Sequence, residues 1–278
     1  MYFDRIDAHQ HFWKFDAIRD SWINEDMAIL KKNFLPTQLD SLLKENGIDG
    51  SVVVQSDQSE IENTFQLKNA AENNFIRGVV GWVDLQSAEI EDRLAYYQQF
   101  KKLKGFRHVL QGEIQRDLML TPAFKNGISL LIKYGFTYDL LVLPDQLKFV
   151  KKLVEAFPDQ LFVIDHIAKP SIKSKDIIGW QKDIVALAPY KNLYCKISGM
   201  VTEADLKNWK PEDLTPYMNV VVETFGTNRL MYGSDWPVCL LAASYHQTKN
   251  IVDSYFSTFS ITEQQDFFGK TATQFYKL

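Results

Sequence analysis

Two histidines one residue apart stand close to the N-terminus, within the segment Ile6–Trp13. Successive side chains of a β-strand point to opposite faces, so His9 and His11 point the same way while Gln10 points to the other face. Two converging imidazoles can hold a metal ion or polarise a carbonyl group. A surface strand with solvated histidines would show the same pattern, because short motifs have many chance matches. The motif alone leaves both interpretations open.

The composition is that of an ordinary globular protein. Of 278 residues 46% are hydrophobic and 24% charged, and the net charge of −4 without a long basic cluster argues against nucleic acid as a partner. No apolar run is long enough to span a bilayer, and residues 1–5 lack the pattern of a signal peptide. We therefore predict a cytoplasmic protein with no membrane partner. Cys195 and Cys239 match no zinc motif and are predicted to be reduced.

Strand-like and helical patterns alternate about eight times along the chain. The predicted strands after the first cover residues 51–55, 78–83, 103–108, 136–142, 161–166, 193–198 and 229–235. Such alternation predicts an α/β protein with a parallel sheet, and eight units in about 250 residues predict a (β/α)8 TIM barrel. An open doubly wound sheet is disfavoured, since no glycine-rich phosphate loop follows a strand. We expect one barrel domain over residues 1–278, with the aperiodic segment 14–33 as a lid or binding loop.

Polar side chains gather where the predicted strands end, which is where a TIM barrel places its active site. They are His9, His11, Gln55, Trp82, Arg107, His108, His166, Lys196, Ser198 and Asp235. Four of the five histidines are in this set, whereas His246 falls on a predicted helix and is expected at the surface. The clustering favours a catalytic site over a random scatter.

The alternation of side chains along each strand indicates which residues point into the barrel. In the eighth strand Gly233 and Asp235 share a face, and the glycine would leave room beside the site. In the sixth strand we place His166 inward and Asp165 towards the helices or the neighbouring strand. Asp139 in the fifth strand is placed inward, either to orient a histidine or to contact the substrate.

Three histidines and one aspartate at the mouth of a barrel suit hydrolysis. Asp235 can take a proton from water, while the imidazoles, alone or through a metal ion, stabilise the oxyanion that forms on an acyl carbon. Arg107 would suit a carboxylate or a polar ring oxygen. A serine nucleophile is disfavoured because the sequence contains no Gly-x-Ser-x-Gly motif.

Several blocks in this order resemble the amidohydrolase superfamily, and more narrowly its lactonase group, in particular the L-fuconolactonase branch. The blocks are Asp7–Trp13, Val80–Leu85, Lys104–Gln111, Thr137–Leu141, Asp165–Pro170, Cys195–Gly199 and Tyr232–Cys239. The resemblance implies hydrolysis of a sugar-acid lactone to the open acid. It also implies Asp235 as the general base on water, with His9, His11 and His166 polarising the lactone carbonyl.

The chain departs from the metal-binding members of that superfamily in two places. No histidine ends the fifth strand, and no lysine suited to bridging two metals lies at the fourth. A binuclear centre is therefore not expected. Metal-independent catalysis is preferred, with a single Zn²⁺ held by His9, His11 and Asp235 as the alternative.

The remaining polar and aromatic residues at the strand ends are candidates for binding the lactone. This substrate-binding set comprises Arg107, His108, Trp82, Gln55, Asp139, Lys196 and Trp236. Two other functions stay open: a zinc-dependent decarboxylase or another hydrolase of the superfamily, and a catalytically silent barrel that binds a sugar acid. The expected partner is a small-molecule sugar lactone, and the apolar outer helices would permit a homodimer.

Overall fold

The computed structural model describes residues 3–278, which form eight parallel strands alternating with helices. The strands are β1 (Ile6–Gln10), β2 (Gly50–Val54), β3 (Ile76–Gly81), β4 (Leu103–His108), β5 (Thr137–Leu140), β6 (Phe162–Ile164), β7 (Leu193–Ile197) and β8 (Leu230–Tyr232). Each strand pairs in parallel with the next one along the chain. The predicted strands are therefore all present, although several end earlier than expected.

The helices follow the strands as the alternating pattern predicts. They are α1 (Pro36–Glu45), α2 (Glu60–Glu72), α3 (Ile90–Tyr97), α4 (Pro122–Tyr134), α5 (Leu147–Ala156), α6 (Ile178–Val185), α7 (Met200–Glu203), α8 (Pro211–Phe225), α9 (Tyr245–Phe256), α10 (Ile261–Gln265) and α11 (Thr271–Tyr276). Among residues 3–278, none of them combines the length and the apolar character that crossing a membrane requires.

The sheet curves until its first and last strands meet. A parallel bridge joins Gln10 at the end of β1 to Trp236 after β8, and the His11 amide donates to the Trp236 carbonyl over 2.7 Å. The result is a nearly closed barrel, which confirms the predicted (β/α)8 architecture and excludes the open doubly wound sheet.

Burial on both faces explains why strands such as β2 carry no charged side chains. Gly50–Val54 is buried along its whole length, as expected for a strand with barrel interior on one side and helices on the other. The helices bury one face only. In α5, Leu147, Val150, Leu153 and Val154 are buried at helical spacing while the lysines between them are exposed.

The C-terminal segment closes the amino-terminal end of the barrel. Phe275 and Tyr276 of α11 are buried against the interior residues Ile6 and Val52. The Tyr276 hydroxyl extends further and donates to Asp139 Oδ2 over 2.8 Å. One end of the barrel is thus filled by the chain itself, and the polar strand ends remain at the other.

Candidate active site

His9 and His11 converge as predicted. Their Nε2 atoms lie 3.2 Å apart, and both side chains are almost fully buried. The pairing of β1 with β2 shifts register between Asp7 and Gln10, an irregularity of the kind that redirects side chains near barrel sites. The ring of His11 is oriented by the Val54 carbonyl, 2.8 Å from its Nδ1.

Asp235 lies opposite the two histidines, just beyond β8. Its Oδ1 atom is 3.3 Å from His11 Nε2 and 3.8 Å from His9 Nε2. Its backbone amide donates to the His9 carbonyl over 2.8 Å, which fixes the end of β8 against β1. The glycine at position 233 has the predicted role, because a Cβ there would lie only 2.6 Å from that of His9.

His166 reaches the same site through an unusual backbone turn. Residues 166–169 all have positive φ values between 48° and 59°, although none of them is glycine. Such a left-handed turn is costly for L-residues and is found mainly where a functional site holds it. The turn brings His166 Nε2 to 4.0 Å from Asp235 Oδ1, and Nδ1 lies 2.9 Å from the Ser198 hydroxyl.

The predicted orientation of the sixth strand is wrong. Phe162 and Ile164 pack outward with the helix-side core, whereas Val163 belongs to the barrel interior. Asp165 follows the inward side and contacts His9 Nδ1 at 3.2 Å and Arg107 Nη1 at 3.0 Å. It therefore lies beneath the site and not among the helices, and His166 points into the site only because of the left-handed turn.

A group of buried side chains with opposite charges lies below the histidines. The Lys196 ammonium contacts Asp139 at 2.5 Å and Asp165 at 3.0 Å, and all three side chains are fully buried. With Arg107, the group holds two positive and two negative charges, the balance that buried ions require. Burial would raise the pKa of Asp165, but Lys196, His9 and Arg107 outweigh it, so that this pKa lies well below its usual range. Burial raises the pKa of Asp139 to about 6 despite Lys196.

The electrostatics of the site favour neutral imidazoles at His9 and His166 beside an ionised carboxylate at Asp235. Burial lowers the pKa of His9 and that of His166 well below the ordinary value. Burial would raise the pKa of Asp235, but the neighbouring His166 and His11 outweigh this effect and lower it. At neutral pH Asp235 is therefore a carboxylate that can accept a proton.

A cavity of about 600 Å³ opens above this cluster and contacts His11, Arg107, His166 and Asp235. Its apolar lining includes Trp13, Trp22, Met27, Leu141, Val238 and Leu241. Its polar lining includes Arg19, Ser56, Asp57, Gln58, Gln111, Lys169 and Glu203. The mixture suits a small polyhydroxylated molecule with an apolar edge.

The predicted substrate-binding residues divide into three groups. Arg107 lines the cavity, and its Nε atom is buried without a hydrogen-bond partner among residues 3–278. Trp82 and His108 contact each other at 3.4 Å, and His108 pairs with Glu113 instead of lining the cavity.

The other four predicted residues lie below or behind the cavity. Asp139 and Lys196 belong to the buried charge group, and Trp236 packs edge-on against Phe34. Gln55 is fully buried, and its amide donates to the Arg107 carbonyl over 3.1 Å. None of these four residues lines the cavity, so the structure does not support the prediction that they contact the substrate directly.

Other cavity residues were not identified from the sequence individually. Trp22 and Arg19 come from the segment 14–33, whose lack of periodicity was the one signal that pointed to a binding loop. Lys169 and Glu203, which also line the cavity, form an ion pair of 2.9 Å. The position of Lys169 depends on the left-handed turn, which no sequence pattern predicts.

The donor atoms at the site suit a single metal ion. Nε2 of His9, Nε2 of His11 and Oδ1 of Asp235 lie between 3.2 and 3.8 Å apart. Tetrahedral zinc with ordinary bond lengths would hold its ligands about 3.3 Å from one another. His9, Asp165 and His166 form a second group with metal-ligand character. Both groups share His9, so one ion is the fitting number.

The fold and the site together define a TIM-barrel enzyme with a cavity at the carboxyl ends of its strands, where imidazoles and a carboxylate lie close together. The chain belongs to the amidohydrolase family, whose family model, described as "Amidohydrolase", matches residues 6–278. It is 35% identical to an L-fucono-1,5-lactonase of Burkholderia multivorans over 99% of this chain and 96% of that protein.

Two further comparisons agree with this assignment. An L-fucono-1,5-lactonase of Burkholderia ambifaria is 34% identical over 87% of this chain and 83% of its own length. A crystal structure of an amidohydrolase from Burkholderia multivorans with bound zinc superposes with a TM-score of 0.95 at 35% identity, covering 99% of both chains. The family predicted from the sequence blocks is confirmed.

Proposed function

We propose that the protein is a lactonase that opens a sugar-acid lactone, of the L-fucono-lactone type, to the free acid. The observation that carries the proposal is the convergence of His11, His166 and Asp235 at the cavity lining, with His9 buried directly beside them. The names of the two Burkholderia relatives support the class of substrate.

Asp235 is the proposed general base. It accepts a proton from water as the water oxygen attacks the acyl carbon, and the ring C–O bond then breaks as the proton passes to the departing ring oxygen. The neighbouring His166 and His11 keep it ionised against the effect of burial, and its position places it close to the reacting atoms. The reaction consumes one water molecule and yields one carboxylic acid and one hydroxyl group.

The lactone carbonyl would lie against the histidines and Arg107. Imidazole and guanidinium groups in a site with little water stabilise the negative charge that develops on the carbonyl oxygen. Arg107 also lines the cavity, and the nearest of its nitrogens to the site is Nη1, 3.4 Å from His9 Nε2. Polar residues such as Asp57 and Gln111 would contact the hydroxyl groups of the sugar, and the tryptophans would contact its apolar edge.

A zinc ion, when bound, would be held by His9, His11 and Asp235 and would supply Lewis-acid polarisation of the carbonyl and of water. We propose that it is not essential, because Asp235, the imidazoles and Arg107 already provide a base and an oxyanion site. Dialysis against a chelator should therefore leave turnover nearly unchanged while the measured zinc content falls to zero. Loss of activity that added Zn²⁺ restores would contradict this proposal.

The assigned reaction is tested with a pH indicator across a panel of 1,4- and 1,5-sugar lactones. Acid release above the spontaneous rate supports the lactonase. Release of carbon dioxide from aromatic acids by the zinc-loaded protein would support a decarboxylase instead. Binding of sugar acids without turnover of any lactone would support the catalytically silent barrel.

Asp235→Asn tests the assigned base. The amide cannot take a proton from water, so kcat should fall by about 10²- to 10⁴-fold. Asp145→Asn is the matched control, since that carboxylate is half-exposed and pairs with Arg116 away from the site. Circular dichroism checks that both variants are folded. Full turnover by Asp235→Asn would remove Asp235 from the role of base.

A further inference from the structure

The imidazole of His9 lies between a hydrogen-bond donor and an acceptor at the same nitrogen. Nδ1 is 3.2 Å from Asp165 Oδ1 and 3.3 Å from Lys196 Nζ. An ionised carboxylate can only accept a hydrogen bond, and an ammonium group can only donate one. Lys196 therefore satisfies the neutral tautomer whose Nδ1 is bare. For the tautomer that carries its proton on Nδ1, the nearby acceptor is Asp165 Oδ1, a buried atom with no hydrogen-bond partner among residues 3–278.

The opposite nitrogen of His9 faces His11, whose Nδ1 is held by a backbone carbonyl. The Val54 carbonyl lies 2.8 Å from His11 Nδ1, and because a carbonyl only accepts, Nδ1 of His11 must carry a proton. A neutral His11 then presents a bare Nε2 to the Nε2 of His9, 3.2 Å away. A proton on Nε2 of His9 would complete a hydrogen bond to His11.

With the other tautomer, three electron-pair donors would face one another at this point. The bare Nε2 atoms of His9 and His11 and the carboxylate of Asp235 repel unless a cation lies between them. Arg107 Nη1 is 3.4 Å from Nε2 of His9, but its shorter contact, 3.0 Å, is with Asp165 Oδ2. A bound metal ion is therefore the partner that the second tautomer needs.

We propose that Asp165 and Lys196 are positioning residues that let His9 exchange tautomers with the state of the site. Without an ion, Lys196 donates to Nδ1 and Nε2–H donates to His11. With an ion, Nδ1–H donates to Asp165 and Nε2 becomes a ligand. Both forms are neutral imidazole, so the exchange needs no net gain or loss of a proton.

The surroundings hold the two positioning residues in place for both states. Lys196 and Asp165 are fully buried, and each has a further charged partner, Asp139 for the lysine and Arg107 for the aspartate. Neither depends on His9 to compensate its charge. The orientation of metal-bound imidazoles by a carboxylate on the other ring nitrogen is a general feature of metal sites.

The first test follows the tautomer of His9 directly. The full-length protein, labelled with ¹⁵N-histidine and freed of metal with a chelator, is titrated with Zn²⁺ while long-range ¹H–¹⁵N spectra are recorded. The ring signals of His9 are assigned by their loss in His9→Asn. We expect a protonated Nε2 before zinc and a protonated Nδ1 after it. The same tautomer in both states, or no zinc binding, would overturn the proposal.

The second test compares zinc affinity in two charge-matched variants, by competition with a chromophoric chelator. Asp165→Asn removes the acceptor that fixes the ligating tautomer, and affinity should fall by about 10- to 100-fold. Asp139→Asn also removes one carboxylate from Lys196 but does not touch His9, so its affinity should stay at the wild-type value. Equal losses would show a general effect of charge and contradict a specific role of Asp165.

These experiments concern the state of the site and not its substrate. Failure of the lactone panel would leave the expected zinc-linked change at His9 intact. An unchanged tautomer would leave the proposed lactonase activity intact. The two proposals can therefore fail independently.

Discussion

Gly233 is the residue whose missing side chain makes room for His9. A Cβ at this position would meet His9 Cβ at 2.6 Å and Ser198 Cβ at 3.0 Å. Both neighbouring atoms are attached directly to the backbone, one in β1 and the other just after β7, and cannot rotate away. Gly233→Ala should therefore displace β1 from β8, lower the free energy of unfolding by about 1–3 kcal/mol and reduce turnover. Urea denaturation and the lactone assay measure the two effects.

The control for that variant is Gly179→Ala. Gly179 lies in α6 with no atom of residues 3–278 within 4 Å of its built Cβ, apart from its chain neighbours and the helix's own backbone. Alanine favours the helix, so the free energy of unfolding should rise by about 0.4–1 kcal/mol and turnover should stay the same. A similar loss of stability in both variants would contradict the close packing proposed at Gly233.

Individual residues were predictable where spacing or chain order determined their place. His9, His11 and Asp235 follow from a two-residue period and from strands that end at one mouth. Asp165 was placed wrongly because Phe162–Ile164 is apolar on both faces, so alternation offers no contrast between inside and outside. The orientation of His166 depends on a left-handed turn that ordinary residue preferences do not predict.

Among the larger elements, the segment 14–33 forms part of the cavity wall. It contributes Trp22, which is 42% exposed and packs edge-on against Trp13. If the cavity binds the proposed lactone, Trp22→Ala removes an aromatic face from the substrate and leaves the strand-end residues in place. KM should rise about two- to tenfold, with kcat nearly unchanged. Steady-state kinetics on the preferred lactone give both constants.

Ile29→Ala provides the control within the same segment. Ile29 is 48% exposed, similar to Trp22, but it does not line the cavity. Its substitution should leave both KM and kcat at the wild-type values. A rise in KM for both variants would indicate that the whole segment had moved, and a fall in kcat alone for Trp22→Ala would argue against a binding role.

The order and type of the elements were predictable because each strand is a short apolar run and each helix is amphipathic. Their exact ends were less predictable. The sixth and eighth strands were predicted to continue to residues 166 and 235, but they stop at Ile164 and Tyr232. His166 and Asp235, two and three residues beyond these strand ends, have positive φ, so the regular extended conformation does not reach them.

At the scale of the whole molecule, a chain of polar contacts runs through the barrel. It begins at Tyr276 near the C-terminus and passes through Asp139 and Lys196 to Asp165 and His9. Each link joins a different strand or helix, so the segment that closes one end of the barrel is connected to the site at the other. Polar groups buried in this way specify one arrangement only when each has its partners.

Tyr276→Phe tests the importance of this connection for stability. The hydroxyl donates to Asp139 Oδ2 in the interior, where Oδ1 of the same carboxylate already lacks a hydrogen-bond partner in the described part of the chain. Its loss should lower the free energy of unfolding by about 1–3 kcal/mol. Tyr255→Phe is the control, since it removes a hydroxyl that donates to Asn219 at the surface. It should change the free energy of unfolding by less than about 0.5 kcal/mol. Equal effects in urea denaturation would mean that the interior contact adds nothing beyond an exposed hydrogen bond, and that α11 is held by its apolar packing alone.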